Sequence, residues 1–394
     1  MTIPPLSRFK RFDHNYFTNQ LNIPWFFNEI APAYIFSRLG LILVGVMALA
    51  TLPLSTYPGV WQFSANPFIN MWSRWDAGWY LSIAEKGYSY HPGVQSSINF
   101  APLYPVIMGT VCRIFHGHSH EDMLLAGIIL SNVSLLVAII FLYLLVKLDF
   151  NDRISARATL FLLIFPSTLF LSAVYPESLY LALTLIAFYN ARRGVWLLAG
   201  VFGGLAALTR PYGIILVVPF LYEYMDQRNF RLRSVRWDIL GIGLTVAIFS
   251  VWPCYLYKKF GRPFLFLLSQ SYWHRIPAPP WIVIANFFSA PLTVHGPGHS
   301  LIDLSFTILS IALFIYSIGI MRGSYVAYEG LALLCIISSG LLVSMMRYDL
   351  DIFPLFISLA LLGRHRGARS SVTTLFACLS GFFMAAFALW YWVA

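Results

Sequence analysis

A carboxylate stands in an aromatic row in the stretch Arg74-Trp75-Asp76-Ala77-Gly78-Trp79-Tyr80. Anchoring of a helix at a membrane surface explains the rings, because Trp and Tyr favour the headgroup level. It does not explain Asp76. A carboxylate within hydrogen-bond reach of a hydroxyl can take its proton and make it a nucleophile. Four other polar groups interrupt apolar sequence: Tyr175-Pro176-Glu177-Ser178, Thr209-Arg210-Pro211, Gln270 to Arg275, and Arg347-Tyr348-Asp349-Leu350-Asp351. An arginine beside a long apolar run calls for an anionic partner, and a phosphate is one that guanidinium binds well. Each group also has a plainer reading. Glu177 could cap a helix beside Ser178. Arg74 could hold a lipid headgroup or pair with Asp76, Arg210 could pair with Glu177, and Arg347 with Asp349 or Asp351. Glu85 and Lys86 read as a solvated pair. The polar and aromatic run Gln270, Tyr272, Trp273, His274 and Arg275 suits a wall on which a sugar could stack. The alternating His116, His118 and His120 lack the i, i+4 spacing of a helical zinc site, so no metal site is expected.

These residues sit in a chain that cannot be soluble. Of its 394 residues 59% are hydrophobic and 11% charged, against roughly 25% charged in soluble domains. Mean hydropathy is +0.71. A soluble enzyme, a disordered chain and a disulfide scaffold are excluded, which leaves an all-α polytopic membrane protein. The cysteines Cys112, Cys254, Cys335 and Cys378 form no CxxC pair, so neither a redox pair nor a metal ribbon is indicated. The net charge of +10 reads as membrane topology rather than as a nucleic-acid surface, because Lys and Arg accumulate on the cytoplasmic side.

Apolar stretches at 33–53, 123–146, 158–174, 178–191, 195–209, 212–224, 238–257, 301–320, 325–345, 351–363 and 372–393 predict about 11 transmembrane helices in a single domain spanning 1–394. No cleavable signal is legible in the first 30 residues, so the first helix is expected to be retained. With the N-terminus inside, the inner segments carry most Lys and Arg. They include Arg8, Lys10, Arg11, Arg192, Arg193, Arg228, Arg231, Arg233 and Arg236. That orientation requires 100–115, with Pro102 and Pro105, to lie at the interface rather than cross. The first outer loop is then 54–122 and the second 258–300. All five polar groups fall on the outer face, and this convergence suggests a site. No repeat of 20–50 residues and no inverted pair of broken helices is evident.

Two segments carry a family resemblance. The first combines Arg74-Trp75-Asp76-Ala77, Ile83-Ala84-Glu85, Gly87-Tyr88 and Asn99-Phe100-Ala101 with the Pro-aromatic-Pro stretch that follows. The second combines Phe165-Pro166-Ser167, Tyr175-Pro176-Glu177-Ser178-Leu179, Arg192-Arg193-Gly194 and Thr209-Arg210. Together they resemble the PIG-V-like mannosyltransferases and, more widely, the GT-C superfamily of integral-membrane glycosyltransferases. The resemblance is specific at 72–105, good at 165–213 and weak elsewhere.

The resemblance implies a GT-C-type bundle with interfacial helices in the first outer loop. It also implies a polyprenyl-phosphate sugar, most simply mannosyl, as donor, and a glycolipid or glycan hydroxyl as acceptor. The superfamily's acidic residue in the first outer loop matches Asp76, expected here as the catalytic base. Arg210 and Arg347, with Tyr348, are the expected contacts to the donor phosphate. Arg74, Trp75, Glu177, Gln270, His274 and Arg275 are the wider substrate-binding set. No cofactor is expected, and a leaving monophosphate makes a divalent metal optional. Single displacement predicts inversion at the anomeric carbon. The expected setting is a multi-pass protein of the plasma membrane in a prokaryote or of the ER in a eukaryote, surrounded by membrane lipids and without nucleic-acid partners. The competing reading is a lipid or lipid-linked-sugar transporter, built from the same helices and intramembrane arginines.

Overall fold

The computed structural model describes residues 26–56, 62–296 and 298–393. The basic residues Arg8, Lys10 and Arg11, used above for orientation, lie outside them. Among the described residues the chain is helical, with one isolated bridge between Thr293 and Ser300. Helices of eight residues or more are α1 (Ala31–Thr51), α2 (Ala77–Lys86), α3 (Leu103–Ile114), α4 (His120–Lys147), α5 (Asp152–Leu163), α6 (Glu177–Arg192), α7 (Trp196–Thr209), α8 (Val217–Asp226), α9 (Leu240–Phe260), α10 (Pro280–Phe287), α11 (Leu301–Ser317), α12 (Gly323–Ile337), α13 (Phe353–Leu362) and α14 (Arg366–Ala388). Four continuous helical stretches have the length and hydropathy to cross a membrane: Phe26–Thr51, His120–Lys147, Trp237–Phe260 and Arg366–Ala388.

Local sequence explains where several helices begin and end. Ser119 caps α4 by accepting from the Asp122 N–H, and Asp122 returns the bond to the Ser119 N–H, a capping box that satisfies two otherwise open donors. Asn151 caps α5 by accepting from the Ile154 N–H, and Ser300 caps α11 by accepting from the Asp303 N–H. Three predicted stretches differ from what hydropathy suggests. The stretch 158–174 is α-helical only to Leu163 and resumes as a 3₁₀ turn, Thr168–Leu171, because Pro166 lacks an N–H and crowds the preceding turn. The stretch 212–224 begins as a 3₁₀ segment, Pro211–Leu216, before α8. The stretch 325–345 leaves helix after Ile337. Gly340 then takes φ +99°, and a Cβ there would lie 2.2 Å from the Ile276 carbonyl oxygen, so the close approach of two loops requires glycine. Helix α3, on the stretch assigned to the interface, has 12 residues and a length of about 18 Å, short of a hydrocarbon core of about 30 Å.

Polar contacts gather the helix ends into two groups. At one end Arg210 meets Glu177, Lys259 Nζ donates to the Tyr88 carbonyl (2.8 Å), Arg74 reaches the Ala388 carbonyl (2.7 Å), and the Ser55 N–H bonds the Leu389 carbonyl (2.8 Å). At the other end Arg192 meets Asp149 and Tyr325, and Arg322 meets Glu223. Helix α6 runs between the ends through the core and packs against α4 and α7. Helices α7 and α9 touch backbone to backbone where Gly200 faces Gly241: a Cβ on Gly200 would lie 1.7 Å from the Gly241 carbonyl oxygen. Small residues permit this close packing where no hydrophobic gain separates helix from lipid.

Candidate active site

Asp76 immediately precedes α2, and the chain turns sharply to place it there. Trp75 adopts φ +51°, a left-handed conformation that bulky residues rarely take. The Tyr175 hydroxyl fixes the turn. It donates to the Arg74 carbonyl (2.9 Å) and accepts from the Asp76 N–H (3.1 Å). Trp75 is further held by ring contacts with Trp390 and Trp392, at 5.5 and 5.1 Å between centroids. Strain of this kind persists only where the surroundings over-determine it.

From Asp76 a chain of alternating charges runs into the bundle. Arg347 Nη1 donates to Asp76 Oδ2 at 2.9 Å, and its Nε lies 3.5 Å from Glu177 Oε1. Arg210 Nη2 bonds the same Glu177 oxygen, and its Nε lies 3.0 Å from Asp351 Oδ2. The Tyr212 hydroxyl donates to that Asp351 oxygen. Glu177, Asp351 and the two arginines are buried, while the Asp76 side chain keeps 25% of its surface exposed. Asp76 therefore stands at the mouth of an otherwise enclosed charge network, and its Oδ1 has no partner among the described residues.

Tyr348 lies amid three cations. The guanidinium carbons of Arg210, Arg347 and Arg275 stand 5.2, 5.6 and 5.7 Å from its ring centroid. Burial alone would raise its phenol, but Arg275, Arg347 and Arg210 outweigh burial and pull it below its ordinary value. Arg275 is fixed by Ser339 Oγ (2.8 Å) and the Val343 carbonyl (3.2 Å). Burial works against the Arg347 cation, but Asp76 and Glu177 more than compensate and hold it protonated.

The geometry decides among the plainer readings. Arg347 pairs with Asp76 and Glu177, not with Asp349 or Asp351. Arg210 does pair with Glu177, and Asp351 is its second partner. Arg74 does not pair with Asp76. It is 2% exposed, donates to the Ala388 carbonyl, and stacks over Trp390 at 4.9 Å. Its Nε and Nη1 find no acceptor among the described residues, and burial lowers the group to about 10. Gln270 and His274 are not drawn into the network. His274 is exposed on a left-handed turn, and neither side chain hydrogen-bonds to a described residue. Tyr175, Tyr212 and Asp351 belong to this network as much as the expected residues do. The first was visible in the Tyr-Pro-Glu-Ser run but was not singled out, and the other two join only through the fold. Among the described residues no cluster of three or more His, Cys, Asp or Glu could hold a metal.

The helical fold has a counterpart among solved membrane-protein structures. ArnT from Cupriavidus metallidurans, solved bound to undecaprenyl phosphate, matches 90% of this chain and 68% of its own length with a TM-score of 0.51 and 15% identity. At that identity the likeness concerns the fold. The family model described as Mannosyltransferase (PIG-V) matches residues 45–250, and the chain belongs to this family. GPI mannosyltransferase 2 of Yarrowia lipolytica is 28% identical over 190 residues, covering 48% of this chain and 50% of the relative. GPI alpha-1,6-mannosyltransferase 2 of Mus musculus is 34% identical over 149 residues, covering 36% of this chain and 29% of the relative. The chain thus spans half the length of these curated relatives or less. The family match includes Asp76, Glu177 and Arg210 but stops before Arg275, Arg347, Tyr348 and Asp351.

Proposed function

We propose that the protein is an integral-membrane mannosyltransferase that moves mannose from a polyprenyl-phosphate donor to a hydroxyl of a glycolipid or glycan, with inversion. The observation that carries this reading is the partly exposed Asp76 paired to Arg347 at 2.9 Å at the mouth of a buried arginine–carboxylate network. Asp76 takes the proton of the acceptor hydroxyl as that oxygen attacks the anomeric carbon. The bond to the donor phosphate breaks, and the phosphate leaves with growing negative charge. Arg347 and Arg210 are preorganised to meet that charge where water is excluded. When the donor phosphate engages Arg347, the Asp76 carboxylate is released from its ion pair and becomes a better base. With two guanidiniums facing a monophosphate, this reading requires no divalent metal.

In this reading the eleven predicted stretches form the membrane-embedded bundle, the shorter ones packed among longer neighbours, and the helix ends carrying Asp76 face the extracytoplasmic side. The basic segment Arg228–Arg236 at the opposite ends is then cytoplasmic, in keeping with the positive-inside rule. The comparisons give the transporter reading no support.

The test uses purified protein in nanodiscs, given polyprenyl-phosphate-mannose and a membrane-lipid extract, with release of polyprenyl phosphate as the readout. Release by the wild type and its loss in Asp76→Asn are expected. Equal release by both proteins would remove Asp76 from the mechanism. No release across several lipid-linked sugars and acceptor extracts would overturn the transferase reading.

A further inference from the structure

We infer that Trp79, Phe100 and Trp273 form a platform on which a pyranose ring stacks beside Asp76. This rests on the site proposed above but not on its chemistry. Three segments far apart in sequence bring these rings together. Trp79 stacks on Phe100 at 5.7 Å with 17° between planes. Trp273 meets Trp79 edge-on at 5.8 Å and Phe100 at 5.7 Å. Trp79 lies three residues after Asp76, so the two share one face at the start of α2. The loop that delivers Trp273 is tied to the same region from the other side. The Ser269 hydroxyl donates to Asn99 Oδ1, next to Phe100, and Arg275 lies over the Tyr348 ring.

All three rings are only partly buried, so the cluster keeps accessible apolar surface near a partly exposed carboxylate. A pyranose fits that combination. Its axial C–H groups carry slight positive charge and favour the negative face of an aromatic ring, while its rim of hydroxyls suits a polar surround. A second observation points the same way. The Trp273 indole N–H is enclosed and has no hydrogen-bond acceptor among the described residues, a state that buried donors avoid and that a sugar hydroxyl would relieve. The pyranose could belong to the donor or to the acceptor, and both present the same ring chemistry.

The experiment has a binding arm that needs no turnover. Methyl α-mannoside is presented to the protein in nanodiscs, and saturation transfer from protein to sugar C–H protons is measured. Wild type and Trp281→Ala, a change at an exposed ring on α10, should show transfer. Trp273→Ala should lose most of it, and Trp273→Phe should restore part. Trp79→Leu tests the platform from its other side should Trp273→Ala fail to fold. The kinetic arm measures KM for polyprenyl-phosphate-mannose and for the acceptor extract separately. Trp273→Ala should raise one of them up to about tenfold, the effect of losing a ring contact, with kcat little changed. A rise in the donor KM assigns the platform to the donor sugar, and a rise in the acceptor KM assigns it to the acceptor. A wild type that binds the mannoside but releases no polyprenyl phosphate keeps the platform and overturns the transferase reading. Equal transfer in wild type and both platform variants overturns the platform.

Discussion

The two ends of the helix bundle each hold a buried charge network, and they differ in how completely the carboxylates that bind the arginines are paired. At the end away from Asp76, Glu223 accepts from Arg322 Nε (2.7 Å), Ser324 Oγ (2.7 Å) and Gln227 Nε2 (2.8 Å), with Arg192 Nε at 3.5 Å. Arg192 forks onto both oxygens of Asp149 at 2.5 and 2.7 Å, and Arg322 Nη2 reaches Asp226 at 2.7 Å. Both oxygens of Glu223 and of Asp149 are thus in use. At the Asp76 end, Glu177 Oε1 is shared by two arginines while Oε2 has no hydrogen-bond partner among the described residues. The same is true of Asp351 Oδ1 and Asp349 Oδ2. Buried polar groups are nearly always paired, so each exception calls for a reason. A network whose carboxylates are fully paired serves to hold helices together, even with Arg192 Nε left at a long contact. One with unused capacity, opening on a partly exposed carboxylate, suits the reception of a charged group in the reading proposed above.

The largest expected effect sharpens that contrast at Asp76. Asp76→Asn keeps shape and a hydrogen bond to Arg347 but cannot accept a proton. Polyprenyl phosphate release should fall about 10²- to 10⁴-fold, the range for loss of a general base, with the melting temperature nearly unchanged. Arg347→Lys comes next. It keeps the charge but loses the fork that reaches Asp76 and Glu177 together. We expect about a 10²-fold loss in kcat, comparable to removing one donor from an oxyanion site, read in the same release assay. A loss confined to KM would instead make Arg347 a ground-state binder.

The converse holds at the opposite end. Glu223→Gln leaves Arg322 and Arg192 short of a buried anion, and breaking such a pair costs about 3–5 kcal/mol. The expected result is a lowered melting temperature with kcat per folded molecule unchanged. A variant that melts normally but turns over slowly would erase the distinction between the two ends.

Sequence reading reached the fold class because apolar length and charge sparsity are local properties. It also singled out Asp76, Glu177, Arg210 and Arg347, which the fold joins in one network, because a charge beside an apolar run is conspicuous. It did not reach the connections. Arg347 and Asp76 are separated by 271 residues, and nothing in either segment specifies the other. The nearer acids Asp349 and Asp351 looked equally suitable. Hydropathy carried the span at 158–174 straight through Pro166, since an average over many residues cannot register one missing N–H. Gln270 and His274 stand out by residue type alone. The loop's geometry instead turns Arg275 inward onto Tyr348 and leaves His274 exposed.

Tyr348 gives the smallest effect, and it bears on the same contrast from the side of the cations. Its phenol is held below the ordinary value near 10 by Arg275, Arg347 and Arg210 acting against burial. One tyrosine of the 22 in the chain should therefore ionise early in an ultraviolet tyrosinate titration, and Tyr348→Phe should remove that step. The sign for stability follows from proton linkage. Between the lowered value and 10 the folded protein has lost this proton and the unfolded chain has kept it, so stability rises with pH in that window. The contribution is complete above pH 10 and disappears as pH falls through the folded-state value. Polyprenyl-phosphate binding should move the same step upward, because a phosphate placed among the three guanidiniums offsets the charge that depresses the phenol. A titration that donor phosphate leaves unmoved would place the phosphate away from Tyr348 and break the claim that this end of the bundle is the one prepared for an anion.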